Sequence, residues 1–313
     1  MPVDPEPDAR PSFGVPTPPT PLDPLDAEVL GGLDIEVLAT ATSTNAVLAA
    51  RARAGESGAS AVVAEHQTRG RGRLDRSWEA PAGRALTFSV LLRPEVAPSR
   101  WPWLPLLTGC VVADVLRTHG YGAAVKWPND VLLPTVAGGR PEAKVAGILL
   151  ERVETPAGPA AVVGIGLNVH LSAEELPVPT ATSLALARSS APPSRTALLA
   201  ALVEALRARH ARWAAEAPDV LRREYVEGCV TLGRDVRVEL PSAPPLRGRA
   251  VGIDAEGRLE VRGPDGVVAV GVGDVVHVRP DGQVAEKADG EAAEGTAGPP
   301  GARPGAPEPP EVG

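Results

Sequence analysis

AKVAGILLERVETPAGPAAVVGIGLNVH, residues 143–170, places two apolar runs, AKVAGILLE and AAVVGIGLNVH, on either side of the turn TPAGP. Runs of this length and Val/Ile/Leu content read as buried strands, and the short Pro/Gly turn makes them neighbours. The glycines of the second run look like the start of a dinucleotide fingerprint. The third glycine is absent, however, and LSAEELPVP, which follows, is broken by prolines before a helix can open. No GxxxxGK[ST] occurs either, so this is no P-loop protein. Gly164 and Gly166 instead suggest a strand whose backbone something flat approaches. Lys144 sets one charge at the mouth of the first run. Two readings stand: it reaches an anion, or it is an edge lysine that blunts strand pairing.

The surrounding chain alternates strands and helices. DIEVLAT (34–40) reads as a strand. STNAVLAARARAG (43–55) reads as a helix capped by Ser43 or Thr44 and stopped by Gly55. AVVAEH (61–66) and RALTFSVLLRP (84–94) are strands, and WPWLPLLTGCVVADVLRTHG (101–120) is an apolar helix. AAVKWPND (123–130) is a short strand breaking at Pro128. Residues 194–228 hold one or two amphipathic helices. From about 231 only short strands with Asp/Gly turns remain, which predicts a small β-barrel. Loose alternation of strands and helices followed by strands alone reads as an α/β or α+β domain with a barrel appended.

Composition limits the function. The chain has 313 residues and 43% hydrophobic content, enough for one large domain, a small one and tails. Its net charge of −8 belongs to the ends. Residues 1–30 and 281–313 each carry −5 and are rich in Pro and acid, so both are expected to be disordered. The middle is near neutral, which argues against a nucleic-acid-binding surface. The start has no basic and apolar signal-peptide pattern, and no run is long enough to span a membrane. Cys110 and Cys229 make neither a zinc pattern nor a disulfide framework, so the cytoplasm is expected. The five histidines show no metal spacing.

Two clusters point to chemistry. HQTRGRGRLDRSW (66–78) alternates Arg69, Arg71, Arg73 and Arg76 with Gly70 and Gly72. Glycines at that density exclude a basic helix face and predict a flexible loop. Its backbone N–H groups and guanidiniums suit an oxyanion, a phosphate-bearing small molecule before RNA or DNA. There are only three lysines, Lys126, Lys144 and Lys287, against 28 arginines. Lys126 and Lys144 lie in the most apolar region, where a compact ammonium has its own use. In KWPND (126–130), Asn129 and Asp130 are either hard oxygen ligands for magnesium or ordinary turn residues.

In this order, STN (43–45), Gln67 with GRGR (70–73), Arg76, Trp78, KWPND, KVAGILLE (144–151) and GIGLN (164–168) resemble biotin protein ligases of the monofunctional type. The resemblance runs over about 35–280. It implies an α+β fold: a catalytic domain at 31–230, a mixed sheet with helices related to lipoate ligases and class II aminoacyl-tRNA synthetases, and an SH3-like barrel at 231–280. It implies that biotin and ATP, with Mg²⁺, form biotinyl-5′-AMP. The biotinyl group then passes to a lysine of the biotin carboxyl carrier domain of acyl-CoA carboxylases. By matching positions, Ser43, Thr44, Gln67, Gly70, Arg71, Gly72, Arg73 and Lys144 would bind biotin. Arg71, Arg73, Arg76, Trp78, Lys126, Asn129 and Asn168 would bind ATP or the adenylate. Lys144, Arg73 and Asp130 would be catalytic, and no metal ligand is assigned. Two departures stand out. Asp75 occupies the last glycine position of the family's GRGRxGR loop and could partly neutralise Arg73 and Arg76. The acidic, Pro-rich start replaces the DNA-binding domain of some members, so no DNA partner is expected.

Overall fold

The computed structural model describes residues 23–56, 58–134, 141–241 and 243–278. Seven strands form a mixed sheet in the order β1-β2-β3-β7-β6-β5-β4. They are β1 (Ile35–Ala41), β2 (Ala61–Gln67), β3 (Ala85–Leu92), β4 (Ala124–Lys126), β5 (Asp130–Pro134), β6 (Pro141–Thr155) and β7 (Gly158–Asn168). β1 and β2 run parallel, and every other neighbouring pair is antiparallel. β6 and β7 form the hairpin expected from TPAGP, closing at Thr155 opposite Gly158. β6 is an inner strand between β5 and β7, so Lys144 is not an edge lysine.

Side chains alternate across a strand, and that period assigns the two faces. On one face of β7, Ala161, Val163, Ile165 and Leu167 join the main core under α3 (Leu104–Thr118) and α5 (Arg195–Trp213). On the other, Ala160 and Val162 pack with Val153 of β6 beneath Leu48, Ala49 and Ala52 of α2 (Thr44–Ala54). Beyond Val162 this second face carries Gly164 and Gly166. They lie directly opposite Leu149 and Gly147 of β6, and opposite Ser89 and Thr87 of β3. α2 therefore covers half of the face and leaves a glycine-floored slot at its N-terminus.

Several expectations need correction. The acidic tail does not reach residue 30: α1 (Ala27–Gly31) forms behind an Asp26 cap, and Leu25 and Leu30 are buried. The rest of both tails lies outside the described residues. Ser43 precedes α2 but makes no side-chain cap hydrogen bond, while Gly55 ends the helix at φ 70° as expected. The 101–120 helix is a 3-10 turn over Pro98–Trp103, with Pro102 inside it, followed by α3. The 194–228 segment is two helices, as the sequence allowed: α5 and α6 (Pro218–Gly228), after a short α4 (Leu184–Ala187). Among the described residues no helix is long and apolar enough to cross a membrane.

The C-terminal strands β8 (Asp235–Leu240), β9 (Ala243–Ile253), β10 (Leu259–Gly263), β11 (Gly266–Val270) and β12 (Asp274–His277) form an antiparallel sheet in the order β11-β10-β9-β8-β12. It is fastened to the first domain around KWPND. Trp103 Nε1 donates to Ala255 O at 2.8 Å and Trp127 Nε1 to Gly257 O at 3.0 Å. Trp127 N donates to Thr231 Oγ1, which also lies 3.3 Å from His277 Nε2. Burial, with Lys126 and Arg234 close by, pushes the His277 imidazole down to about 3. A histidine held neutral in the fold binds its proton only on unfolding, so stability falls as pH drops below about 6.5 and goes on falling towards 3. The melting temperature is expected to drop between pH 7 and 5. About 2 kcal/mol, or roughly 4–8 °C, of that drop is expected to vanish in His277→Gln, which differential scanning calorimetry measures.

Candidate active site

The slot is built where the N-terminus of α2 meets the glycine floor. Ser43, Thr44, Gln67, Arg71, Trp78 and Asn129 all line it. Gln67, at the end of β2, accepts from Thr44 N at 2.7 Å and lies 3.1 Å from Thr44 Oγ1. A backbone N–H can only donate, so this bond fixes the oxygen of Gln67 towards Thr44 and turns its NH₂ elsewhere.

The arginine loop is a tight hairpin laid over the slot. Gly72 N donates to Arg76 O at 2.6 Å, Arg76 N to Arg73 O at 3.3 Å and Trp78 N to Gly70 O at 3.0 Å. The Gly72 N–H is therefore spent inside the hairpin and does not face an anion. Gly70 is required sterically: a Cβ there would stand 2.1 Å from Trp78 O. Leu74 and Asp75 turn the hairpin at φ 54° and 58°. Asp tolerates this left-handed region better than most residues, which is how it replaces glycine here. Among the described residues Asp75 makes no ion pair, so the expected neutralisation of Arg73 and Arg76 does not arise.

Three of the arginines reach different partners. Arg71 Nη2 lies 2.7 Å from Glu151 Oε2 on β6. Arg73 Nη1 donates to Asn129 Oδ1 at 3.1 Å, and burial lowers its pKa against the pull of Asp130 and Asp274. Arg76 turns away from the slot and pairs with Asp274 of β12. The barrel thus holds the outer side of the hairpin.

Trp78 is the flat group that the glycines admit. Its indole lies on the floor, where a Cβ at Gly166 would come within 2.3 Å of the ring and one at Gly147 within 3.1 Å. Its Nε1 is buried without a partner among the described residues. An unpaired buried donor costs about 1–3 kcal/mol, and with two left-handed residues at the tip it favours a hairpin that reopens. Lys144 Nζ sits 5.8 Å from the centre of this ring and 2.6 Å from Asp130 Oδ1, while Lys126 Nζ lies 3.9 Å from Asp130 Oδ2. The structure therefore gathers Arg73, Lys126 and Lys144 around one carboxylate beside the slot. Asn168 stands apart. It is buried, and its Nδ2 donates to Thr182 O at 2.9 Å, tying down the segment whose Thr180 and Thr182 bond the Lys144 backbone.

Four residues with no assigned role in the sequence reading belong to this arrangement: Asn45, Ser89, Glu151 and Asp274. Asn45 adjoins a quoted motif and Glu151 closes another, so both were within reach. Ser89 in a buried strand and Asp274 in the barrel carry no local signal.

A polar slot on a mixed sheet, closed by a cationic hairpin with an ammonium at its rim, defines a class of proteins that hold a small anionic molecule at a reactive centre. The Biotin/lipoate A/B protein ligase family matches residues 37–168, and the biotin protein ligase C terminal domain matches 231–278. The chain is 40% identical to a biotin–[acetyl-CoA-carboxylase] ligase of Mycobacterium tuberculosis, over 80% of this chain and 91% of that one. It is 33% identical to the bifunctional ligase/repressor BirA of Escherichia coli, over 83% and 80%. Among solved structures, biotin protein ligase from Aquifex aeolicus in complex with biotin and ATP superposes with a TM-score of 0.65 at 26% identity, covering 78% of this chain and 98% of that one. The chain belongs to the biotin/lipoate A/B protein ligase family.

Proposed function

We propose that the chain is an ATP-dependent biotin–protein ligase. It joins biotin and ATP into biotinyl-5′-AMP and passes the biotinyl group to a lysine of a carboxylase's biotin carboxyl carrier domain. The observation that carries this reading is Lys144. Its ammonium lies under the indole of the arginine hairpin, beside a slot lined by Ser43, Thr44 and Gln67. Hydroxyls and an amide suit the ureido ring, whereas a lipoyl or octanoyl chain would ask for an apolar channel. The likeness to relatives named for biotin supports the same choice.

In the first step a biotin carboxylate oxygen bonds to the α-phosphorus of ATP and pyrophosphate leaves. Two anions must meet, and at 4 Å with an effective dielectric near 20 each unit pair repels by about 4 kcal/mol. Lys144, Arg73 and Lys126 cancel that repulsion with charges already in place. The hairpin then shields the mixed anhydride from water. In the second step the acceptor amine attacks the acyl carbon, AMP leaves and the amine gives up a proton, for which Asp130 is the carboxylate at hand.

Mg²⁺ belongs to this reading through ATP. Among the described residues no group of three or more His, Cys, Asp or Glu could hold a metal, and Asp130 already faces two lysines. The described residues offer no cage of their own, and the ion would arrive with the nucleotide's phosphates. The division into a catalytic domain at 31–230 and a barrel at 231–280 is part of the proposal, as is a cytoplasmic setting, which two buried free cysteines support. Purified protein with biotin, ATP and Mg²⁺ is expected to yield a mass corresponding to biotinyl-5′-AMP, with pyrophosphate in equal amount. Pyrophosphate from octanoate or lipoate but not from biotin would replace this reading with the other branch of the family.

A further inference from the structure

Beneath the slot a chain of buried polar groups ends on a carboxylate. Ser89 Oγ lies 2.6 Å from Asn45 Oδ1 and 2.8 Å from Thr44 Oγ1. Asn45 Nδ2 donates to Glu151 Oε2 at 2.8 Å and to Leu149 O at 3.3 Å. Thr44, Asn45 and Ser89 are buried, with Ser89 entirely closed to solvent. Away from water, each proton must have one donor and one acceptor.

Glu151 sets the direction of the whole chain. Its carboxylate and the Leu149 carbonyl can only accept, so the Asn45 NH₂ must face them and its oxygen must face Ser89. The single proton of Ser89 is then committed to Asn45. Thr44 gives its one proton to Gln67 Oε1 at 3.1 Å, an oxygen that can only accept, and the 2.8 Å contact from Ser89 shares at most a branch of the proton held by Asn45, so a Thr44 lone pair stays open to the slot. We infer that Glu151 is a positioning residue which, through Asn45 and Ser89, makes Thr44 Oγ1 an acceptor for the N–H of a ureido ring. The same Glu151 oxygen takes Arg71 of the hairpin at 2.7 Å, so the group that orients the slot also holds its lid. Gly164 leaves room for this chain: a Cβ there would stand 2.2 Å from Asn45 Oδ1.

The inference rests on the biotin reading, and its test separates the two. Biotin is titrated calorimetrically, without ATP, into the full chain and into Glu151→Gln, Ser89→Ala and the double variant. Each single change is expected to weaken binding about tenfold, or roughly 1.4 kcal/mol. The double variant should lose no more than about twofold beyond the weaker single, because a chain already broken cannot break again. Gly164→Ala, whose Cβ would stand 2.2 Å from Asn45 Oδ1, should lose about as much as either single. It keeps the test alive should Ser89→Ala fail to fold. Glu151→Gln binding as tightly as the parent, Gly164→Ala doing so, or losses that multiply in the double variant would each overturn the inference. A parent chain that takes no biotin would overturn the functional reading itself.

Discussion

Lys144→Arg is expected to slow pyrophosphate release from biotin and ATP by about 10²–10³-fold, the scale of losing one preorganised charge at a reacting centre, while the fold survives. The fold survives because the Lys144 backbone, not its side chain, holds the strand. Its N–H donates to Thr180 O and its carbonyl accepts from Thr182 N, each at 2.8 Å. Activity is lost because the ammonium has a narrow seat. The position a Cβ at Gly147 would take is 3.2 Å from Lys144 Nζ and 3.1 Å from the Trp78 ring, and Asp130 Oδ1 lies 2.6 Å from Nζ on another side. A guanidinium is planar, forked and wider. Placed between indole and carboxylate, it must lift the hairpin or turn outward, and in either case the charge leaves the point where carboxylate and phosphate meet. The loss should fall on the rate at saturating substrate more than on KM, since the repulsion peaks at the transition state. Pyrophosphate release at the parent rate would remove Lys144 from the reaction.

What the sequence made legible here was local, and what it hid was relational. The hairpin at 143–170 follows from two apolar runs and a Pro/Gly turn. The glycines of GIGLN announce a close approach because no other residue permits one. Nothing in HQTRGRGRLDRSW says that Arg76 ends on Asp274, 198 positions later, or that Arg71 ends on Glu151. A guanidinium reads the same whether it waits for a phosphate or is tied to a carboxylate. The group that lies flat on Gly166 turns out to be Trp78 of the same chain, which the spacing of the glycines cannot name. Asp75 shows the opposite difficulty. Its charge suggests neutralisation, yet its backbone dihedral is what matters, since it supplies the left-handed turn at φ 58°.

Asp130→Asn is expected to slow transfer to the carrier about 10²-fold and adenylation no more than about tenfold, in line with the loss of a general base. The acceptor lysine is the reason. With a pKa near 10.4 only about one in 2,500 is neutral at pH 7, and the incoming ammonium meets a rim that already holds Arg73, Lys126 and Lys144. Asp130 is the counter-charge among them, in ion-pair range of both lysines and only 13% exposed. With asparagine there, the three cations stay and the carboxylate goes. That change favours two approaching anions, so adenylation is largely spared, but it repels the acceptor and leaves its proton without a taker. Transfer in the variant should then climb about tenfold per pH unit well above pH 8, as the neutral fraction of the acceptor alone sets the rate, while the parent climbs less steeply. The two steps separate cleanly when biotinyl-5′-AMP is preformed on the enzyme and chased with carrier domain across a pH series. Equal losses in both steps would instead mean that Asp130 acts only by steadying Lys144, and the proton would have to leave by another route.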